Sequence, residues 1–162
     1  MNRQTFLETV KIVYGSEPKN YTGATGHSDY VGLKNYDRCA AIIQTGAWAG
    51  GTAAVTLTQA TEVAGSTTKA LSFSNQWTYQ STSFTVDALT KTVVSSDTFN
   101  LSTANTVHVI EVEAADLDLA NNYDCFRVSV ASPGANADFY GIMLYLYGAR
   151  YPQATPPSAI VD

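Results

Sequence analysis

An all-β fold is what this sequence predicts: an antiparallel β-sandwich or jelly-roll-like barrel with extended N- and C-terminal arms. Three observations predict it. First, charged residues are only 14% of the 162 residues, below the roughly 25% of an ordinary soluble domain. Second, Thr, Val and Tyr are abundant while Lys and Glu are scarce, which suits pleated, half-buried surfaces and removes the usual filler of helix surfaces. Third, about eight short segments of strand character are separated by Gly, Pro, Asn and Ser turns. No self-similar period of roughly 20–50 residues is present, which excludes a repeat array.

The elements follow in chain order. Residues 1–18 read as an N-terminal arm or short helix: Phe6, Leu7, Val10 and Val13 have helix-like spacing, Asn2 or Thr5 can cap it, and Ile12-Val13-Tyr14 can equally open a strand. Gly15-Ser16-Glu17-Pro18 ends that segment, and residues 19–29 are turn formers. The body spans 19–151. Strands are expected over residues 30–36 and 39–45, with a glycine-rich turn from Gly46 to Gly51. Residues 53–60 alternate Val55, Leu57 and Gln59 against Thr56, Thr58 and Ala60, the pattern of a strand with one buried face. Residues 69–73 follow a turn, 74–80 form a weaker polar stretch, 84–86 and 90–94 are short strands, and 95–106 are loop-like.

The last third alternates most clearly. Residues 107–113 set His108, Ile110 and Val112 against Val107, Val109, Glu111 and Glu113. An acidic turn region over 114–123 leads to a strand over 124–131. Residues 138–150 set Tyr140, Ile142, Leu144 and Leu146 against Phe139, Gly141, Met143, Tyr145 and Tyr147. Residues 152–162 form a proline-rich C-terminal arm that ends on Ile160-Val161-Asp162. Fully extended, such an arm reaches about 40 Å, past a body whose radius of gyration is near 15 Å. It therefore either reaches a neighbour or lies along an edge of its own sheet.

Composition bounds the function. A net charge of −5 and a pI of about 4.8 oppose direct nucleic-acid binding, which needs a basic face, and a polybasic membrane-surface role. No apolar run approaches the roughly 20 residues of a spanning helix, and the first residues lack a signal-peptide core. A low-charge, Thr/Ser/Ala-rich surface suits a subunit packed into an assembly. Cys39 and Cys125 sit in strand-like apolar settings and read as buried thiols acting as small hydrophobes; no zinc-ligand spacing joins them to His27 or His108.

Candidate chemistry is sparse. His27-Ser28-Asp29 is a tripeptide, whereas a catalytic triad is a spatial arrangement. Loop exposure is expected for His27 and a packed strand position for His108. Glu111, Glu113, Asp116, Asp118 and Asp124, with Asn121 and Asn122, offer oxygen ligands that calcium accepts, but the EF-hand spacing fails and a solvated acidic loop is the expectation. A hydrolase built on Asp116 and Asp118 is the weakest alternative. Gly50-Gly51-Thr52 lacks the lysine of a phosphate-binding loop. No catalytic, cofactor-binding or metal-ligating residue is assigned and no cofactor is expected. Tyr140, Tyr145, Tyr147 and Tyr151 are possible interface aromatics, with core packing as the competing role.

Several stretches carry a family resemblance. They are Val31-Gly32-Leu33-Lys34-Asn35-Tyr36, the glycine-rich turn, Val55 to Gly65, Thr68-Lys69-Ala70-Leu71-Ser72-Phe73, Ala114 to Asp118 with Tyr123 to Val128, and Ala149-Arg150-Tyr151 with the Pro-Ser-Ala-Ile-Val-Asp end. Together they resemble tailed-bacteriophage and prophage head decoration proteins, also called minor capsid or cement proteins. The resemblance covers most of the chain and carries no catalytic signature. It implies a β-rich, non-enzymatic virion protein on the outer capsid surface, assembled in the host bacterial cytoplasm. Its partners would be the major capsid protein and itself, as a homodimer or homotrimer. Arms at Phe6, Leu7, Val10, Pro156, Pro157, Ile160 and Val161 would bridge shell subunits, an arrangement that sums many weak contacts. A tail or collar component, or a carbohydrate- or host-receptor-binding β-sandwich module, are the alternatives.

Overall fold

The computed structural model describes residues 5–80, 87–151 and 155–161. Two antiparallel sheets pack face to face as a sandwich; neither closes into a barrel. A single helical turn, α1 (Phe6–Thr9), precedes twelve strands: β1 (Val10–Asn20), β2 (Gly26–His27), β3 (Val31–Gly32), β4 (Tyr36–Trp48), β5 (Ala53–Ala60), β6 (Thr68–Leu71), β7 (Asn75–Gln80), β8 (Thr90–Val93), β9 (Phe99–Leu101), β10 (Thr106–Glu113), β11 (Cys125–Val130) and β12 (Asp138–Ala149). The larger sheet runs β1-β12-β4-β10-β7-β8. The second runs β2-β11-β5-β6, with β3 also on β11 and β9 also on β5.

The core lies between the sheets, built from the buried half of each alternation. β12 contributes Tyr140, Ile142, Leu144 and Leu146, β4 Cys39, Ala41 and Ile43, and β10 Ile110 and Val112. From the other sheet come Val55 and Leu57 of β5 and Phe126, Val128 and Val130 of β11. Each such side chain contributes roughly 1.5–3 kcal/mol of transfer free energy when buried.

The N-terminal segment differs from the expected arm. Only Phe6–Thr9 is helical, with Thr5 at the N-cap. Val10 onward pairs with β12, from Val10 opposite Tyr147 to Asn20 opposite Phe139. Burial of Val13 outweighs the helical spacing. The Gly-Ser-Glu-Pro segment does not end the element, because register shifts around Ser16 absorb it. Proline is tolerated at such an irregularity on an edge strand. Gly15 permits the approach there: an added Cβ would lie 2.8 Å from the Ile142 carbonyl oxygen.

The tail, over 155–161, folds back on its own body. Gly32 N–H donates to the Ala159 carbonyl at 2.7 Å, and the Tyr36 hydroxyl to the Pro157 carbonyl at 2.5 Å. Ala159 is buried. The expected strand over 30–36 shrinks to Val31–Gly32, because this region closes around the tail and turns at Lys34-Asn35. β7 and β9 form where a weak polar stretch and a loop were expected, and β4 runs through Gly46 to Trp48. The short strand expected at 84–86 lies outside the described residues.

Candidate functional site: the outer face of the larger sheet

The titratable side chains singled out from the sequence serve the fold. His108 is buried between the sheets. Its Nε2 meets Thr106 Oγ1 at 3.0 Å, its Nδ1 meets Gln76 Oε1 at 3.1 Å and Thr78 Oγ1 at 3.3 Å, and its ring stacks on Phe99. Thr45 Oγ1 extends this chain to Thr106 Oγ1 at 2.7 Å. Burial pushes the imidazole down to about 4, so it is neutral at pH 7. His27 is exposed beside Ser28, whose hydroxyl donates to the Asp29 carbonyl and accepts from Val128 N–H. Both hydroxyl contacts go to backbone, so Ser28 is not aligned with His27 as a nucleophile.

The acidic residues are engaged by donors of the chain itself. Asp118 takes Lys69 Nζ and, at 2.8 Å, Asn121 Nδ2, contacts that hold its carboxyl below the usual range. Asp116 accepts from Glu113 N–H, Glu111 accepts from the Tyr147 hydroxyl at 2.7 Å, and Glu113 pairs with Arg38 at 2.8 Å. Among the described residues no three His, Cys, Asp or Glu side chains gather as a metal-ligand set. Asp138, fully buried, accepts from the N–H groups of Ala49 and Gly50 and so fixes the turn after β4. Cys39 and Cys125 are both buried; burial raises the Cys39 thiol far above its ordinary range.

The four tyrosines separate. Tyr140 faces inward, 1% exposed, and stacks on Tyr21 with ring centroids 4.0 Å apart. It therefore contributes to the core and not to a surface: even positions of β12 point between the sheets. Tyr145 and Tyr147 lie half-buried on the outward side, and Tyr151 is exposed after β12. Among the arm residues, Phe6, Leu7, Ile160 and Val161 are exposed, Val10 is half-buried in β1, and Pro156 and Pro157 are half-buried where the tail docks.

What sequence reasoning missed is the outward side of the larger sheet as a whole. Strand register places Tyr14 opposite Met143, Met143 opposite Ile42, Ile42 opposite Val109 and Val109 opposite Trp77. Partners in antiparallel register share a face, so this row crosses five strands. A flanking row carries Ile12, Tyr145 and Ala40, and another Gly141, Gln44, Val107 and Tyr79. The row of Ile12, Tyr145 and Ala40 continues to Glu111, opposite Ala40, which is the one charged side chain within these rows and accepts from the Tyr147 hydroxyl. Tyr14, Pro18, Ile42, Phe139, Met143 and Tyr145 line a groove of about 570 Å³ over β1, β12 and β4. Further charge lies at the rim: Arg38 and Glu113 at one end, and Lys91, over the Trp77 ring, on β8. The signal was present in β12, where both halves of the alternation are apolar.

Chemically, such a face can bury surface and little else. No helix among the described residues is long and apolar enough to cross a membrane. Compared with protein-family models, curated proteins and solved structures, the chain matches none of them.

Proposed function

We propose that this chain is a non-enzymatic virion subunit that decorates the outside of a tailed-phage capsid and bridges its major capsid subunits. The sequence resemblance to head decoration proteins supports this reading. So does one structural observation: the largely apolar outward face that crosses five strands of the larger sheet. Contiguous apolar surface of that extent marks protein contact sites. Bridging needs no chemistry; it needs repeated, individually weak contacts that a symmetric shell sums. The low charged content of the chain agrees with a life spent in contact.

A second reading has its own observation. Tyr14, Tyr145 and Trp77 stand on that same face, and aromatic rings stack on sugars as readily as on proteins. One experiment separates the two. Virions of the encoding phage are purified, and the chain is located by electron cryomicroscopy and by co-sedimentation with emptied heads. Decoration predicts many copies on the shell and heads that burst at lower temperature when the chain is missing. Absence from the head, or glycan binding without head association, contradicts the proposal.

A further inference from the structure

We infer that the outward face of the larger sheet is a two-fold self-association surface, on which a second copy of this chain packs sheet to sheet; under the decoration reading the bridging unit is then a dimer whose shell contacts lie on other surfaces. The axis runs along the strands between β4 and β10.

The six strands themselves place that axis, because β4 and β10 are the central pair of β1-β12-β4-β10-β7-β8. A two-fold rotation about a line between them lays each strand over its mirror position in the order. Ile42 then meets the partner's Val109, Met143 meets the partner's Trp77, and Tyr14 meets the partner's Lys91. The apolar row thus covers itself, as an isologous contact requires. Charges match in the Arg38 and Glu113 row, while Glu111 lies over the partner's Ala40 and keeps its own Tyr147 hydroxyl as donor. Arg38 of β4 and Glu113 of β10, paired within one chain, are laid over the partner's Glu113 and Arg38, which closes a ring of alternating charge. Lys91, already over an indole in its own chain, gains the face of the partner's Tyr14 as a second aromatic contact.

Area permits it. In the overlaid pairs β4/β10, β12/β7 and β1/β8 the shorter strand has eight, six and four residues, or ~24, ~17 and ~10 Å of shared length at the usual rise and spacing. That is ~490 Å² per partner in projection, ~980 Å² in total, near the ~1,000 Å² that a specific interface needs. Edge-to-edge pairing is the other route by which sheets associate. The β1 edge opposes it with two register shifts, Pro18, Lys11 and Lys19, features that block strand addition. The described part of the tail is docked at Gly32 and Tyr36 and does not cover the face.

The test is the mass of the full chain by light scattering at about 100 µM, above the micromolar limit expected of standard-size interfaces. The expected result is twice the chain mass of 17.3 kDa. Ile42→Lys, at the centre, is expected to raise the dissociation constant by ~100-fold or more, since it puts a charge and a long side chain where Ile42 and the partner's Val109 pack. Tyr14 is 58% exposed, so changes there leave folding intact and keep the test open if Ile42→Lys does not fold. Tyr14→Lys sets two ammonium groups together and should weaken the dimer by ~10-fold or more, whereas Tyr14→Glu meets Lys91 and should weaken it by only ~3-fold or less. A monomer at that concentration, a trimer, a dimer indifferent to both lysine variants, or equal losses for Tyr14→Lys and Tyr14→Glu would each overturn the inference.

Discussion

The two outer faces of this sandwich are built from the same kind of strand and carry opposite surfaces. On the larger sheet the outward row reads Tyr14, Met143, Ile42, Val109 and Trp77. On the smaller sheet, register aligns His27, Ser129 and Thr56, then Arg127, Thr58 and Ala70. The inward faces of both are mainly apolar, that of the larger sheet also holding Thr45, Gln76, Thr106 and His108. A sandwich needs only its inner faces to fold. The smaller sheet shows what selection for folding and solubility leaves outside: hydroxyls, an imidazole and a guanidinium. The larger sheet departs from that pattern over most of its width, so its outer side chains answer to something beyond the fold of one copy.

This contrast can be broken most strongly within β12. Leu144 faces the core and Met143, its neighbour, faces out. Leu144→Ala is expected to lower unfolding free energy by about 2–5 kcal/mol, through lost transfer energy and a cavity. Met143→Ala should cost the isolated chain well under that and should act on association instead. Urea unfolding of both, at a concentration that keeps the chain dissociated, checks the split. Equal losses would mean that both faces of β12 serve the fold alike.

The next effect belongs to the polar part of the interior. His108 meets Thr106, Gln76, Thr78 and Phe99, with no carboxylate of the described residues among its contacts. Above pH 6.5 the imidazole is neutral folded and unfolded, so it adds no pH dependence. Below 6.5 the unfolded chain takes the proton while the folded chain refuses it down to about 4. The unfolded state then binds more protons, and stability falls as pH falls, by up to about 3 kcal/mol across that window. Urea midpoints of the wild type and of His108→Gln at pH 7 and pH 4.5 measure it. The wild type should lose more stability than the variant over that interval.

Smaller still is the contribution of the docked tail. A chain ending at Tyr151 leaves the buried Tyr36 hydroxyl without the Pro157 carbonyl, at a cost of about 1–3 kcal/mol. The tail lies away from the outward row of the larger sheet, so the truncated chain should associate as the full chain does. If it loses association and keeps its stability, the tail reaches a neighbour and the sheet face is not the contact.

The smallest effect sharpens the comparison from the other side. Thr56→Lys, on the exposed outer face of the smaller sheet, should change stability by about 0.5 kcal/mol or less and leave association untouched.

How far these features were legible in the sequence depends on where each residue's partner lies. β5, β10 and β12 alternate, and alternation is a local property that survives in the chain alone. β1 was obscured because its continuity past Gly15 and Pro18 rests on register shifts against β12, a partner more than a hundred positions away. β7 looked too polar for a strand, since its inward Gln76 makes sense only beside His108. β9 is three residues long and gains its place by pairing with β5. The period of β12 separates Tyr140 from Tyr145 but does not say which half is buried, since both halves are apolar; Tyr140, expected as a possible interface aromatic, is buried. The apolar face as a whole was not legible, because it is assembled from residues of five strands that meet only through register.

The central claim is that the outer face of the larger sheet is covered in the assembled protein. Hydroxyl-radical footprinting at dilute and concentrated chain reads this side chain by side chain. Tyr14, Met143 and Trp77 should become protected together as concentration rises, while exposed His27 and Tyr151 stay equally reactive. Unchanged reactivity of those three residues in an associated sample would contradict the account.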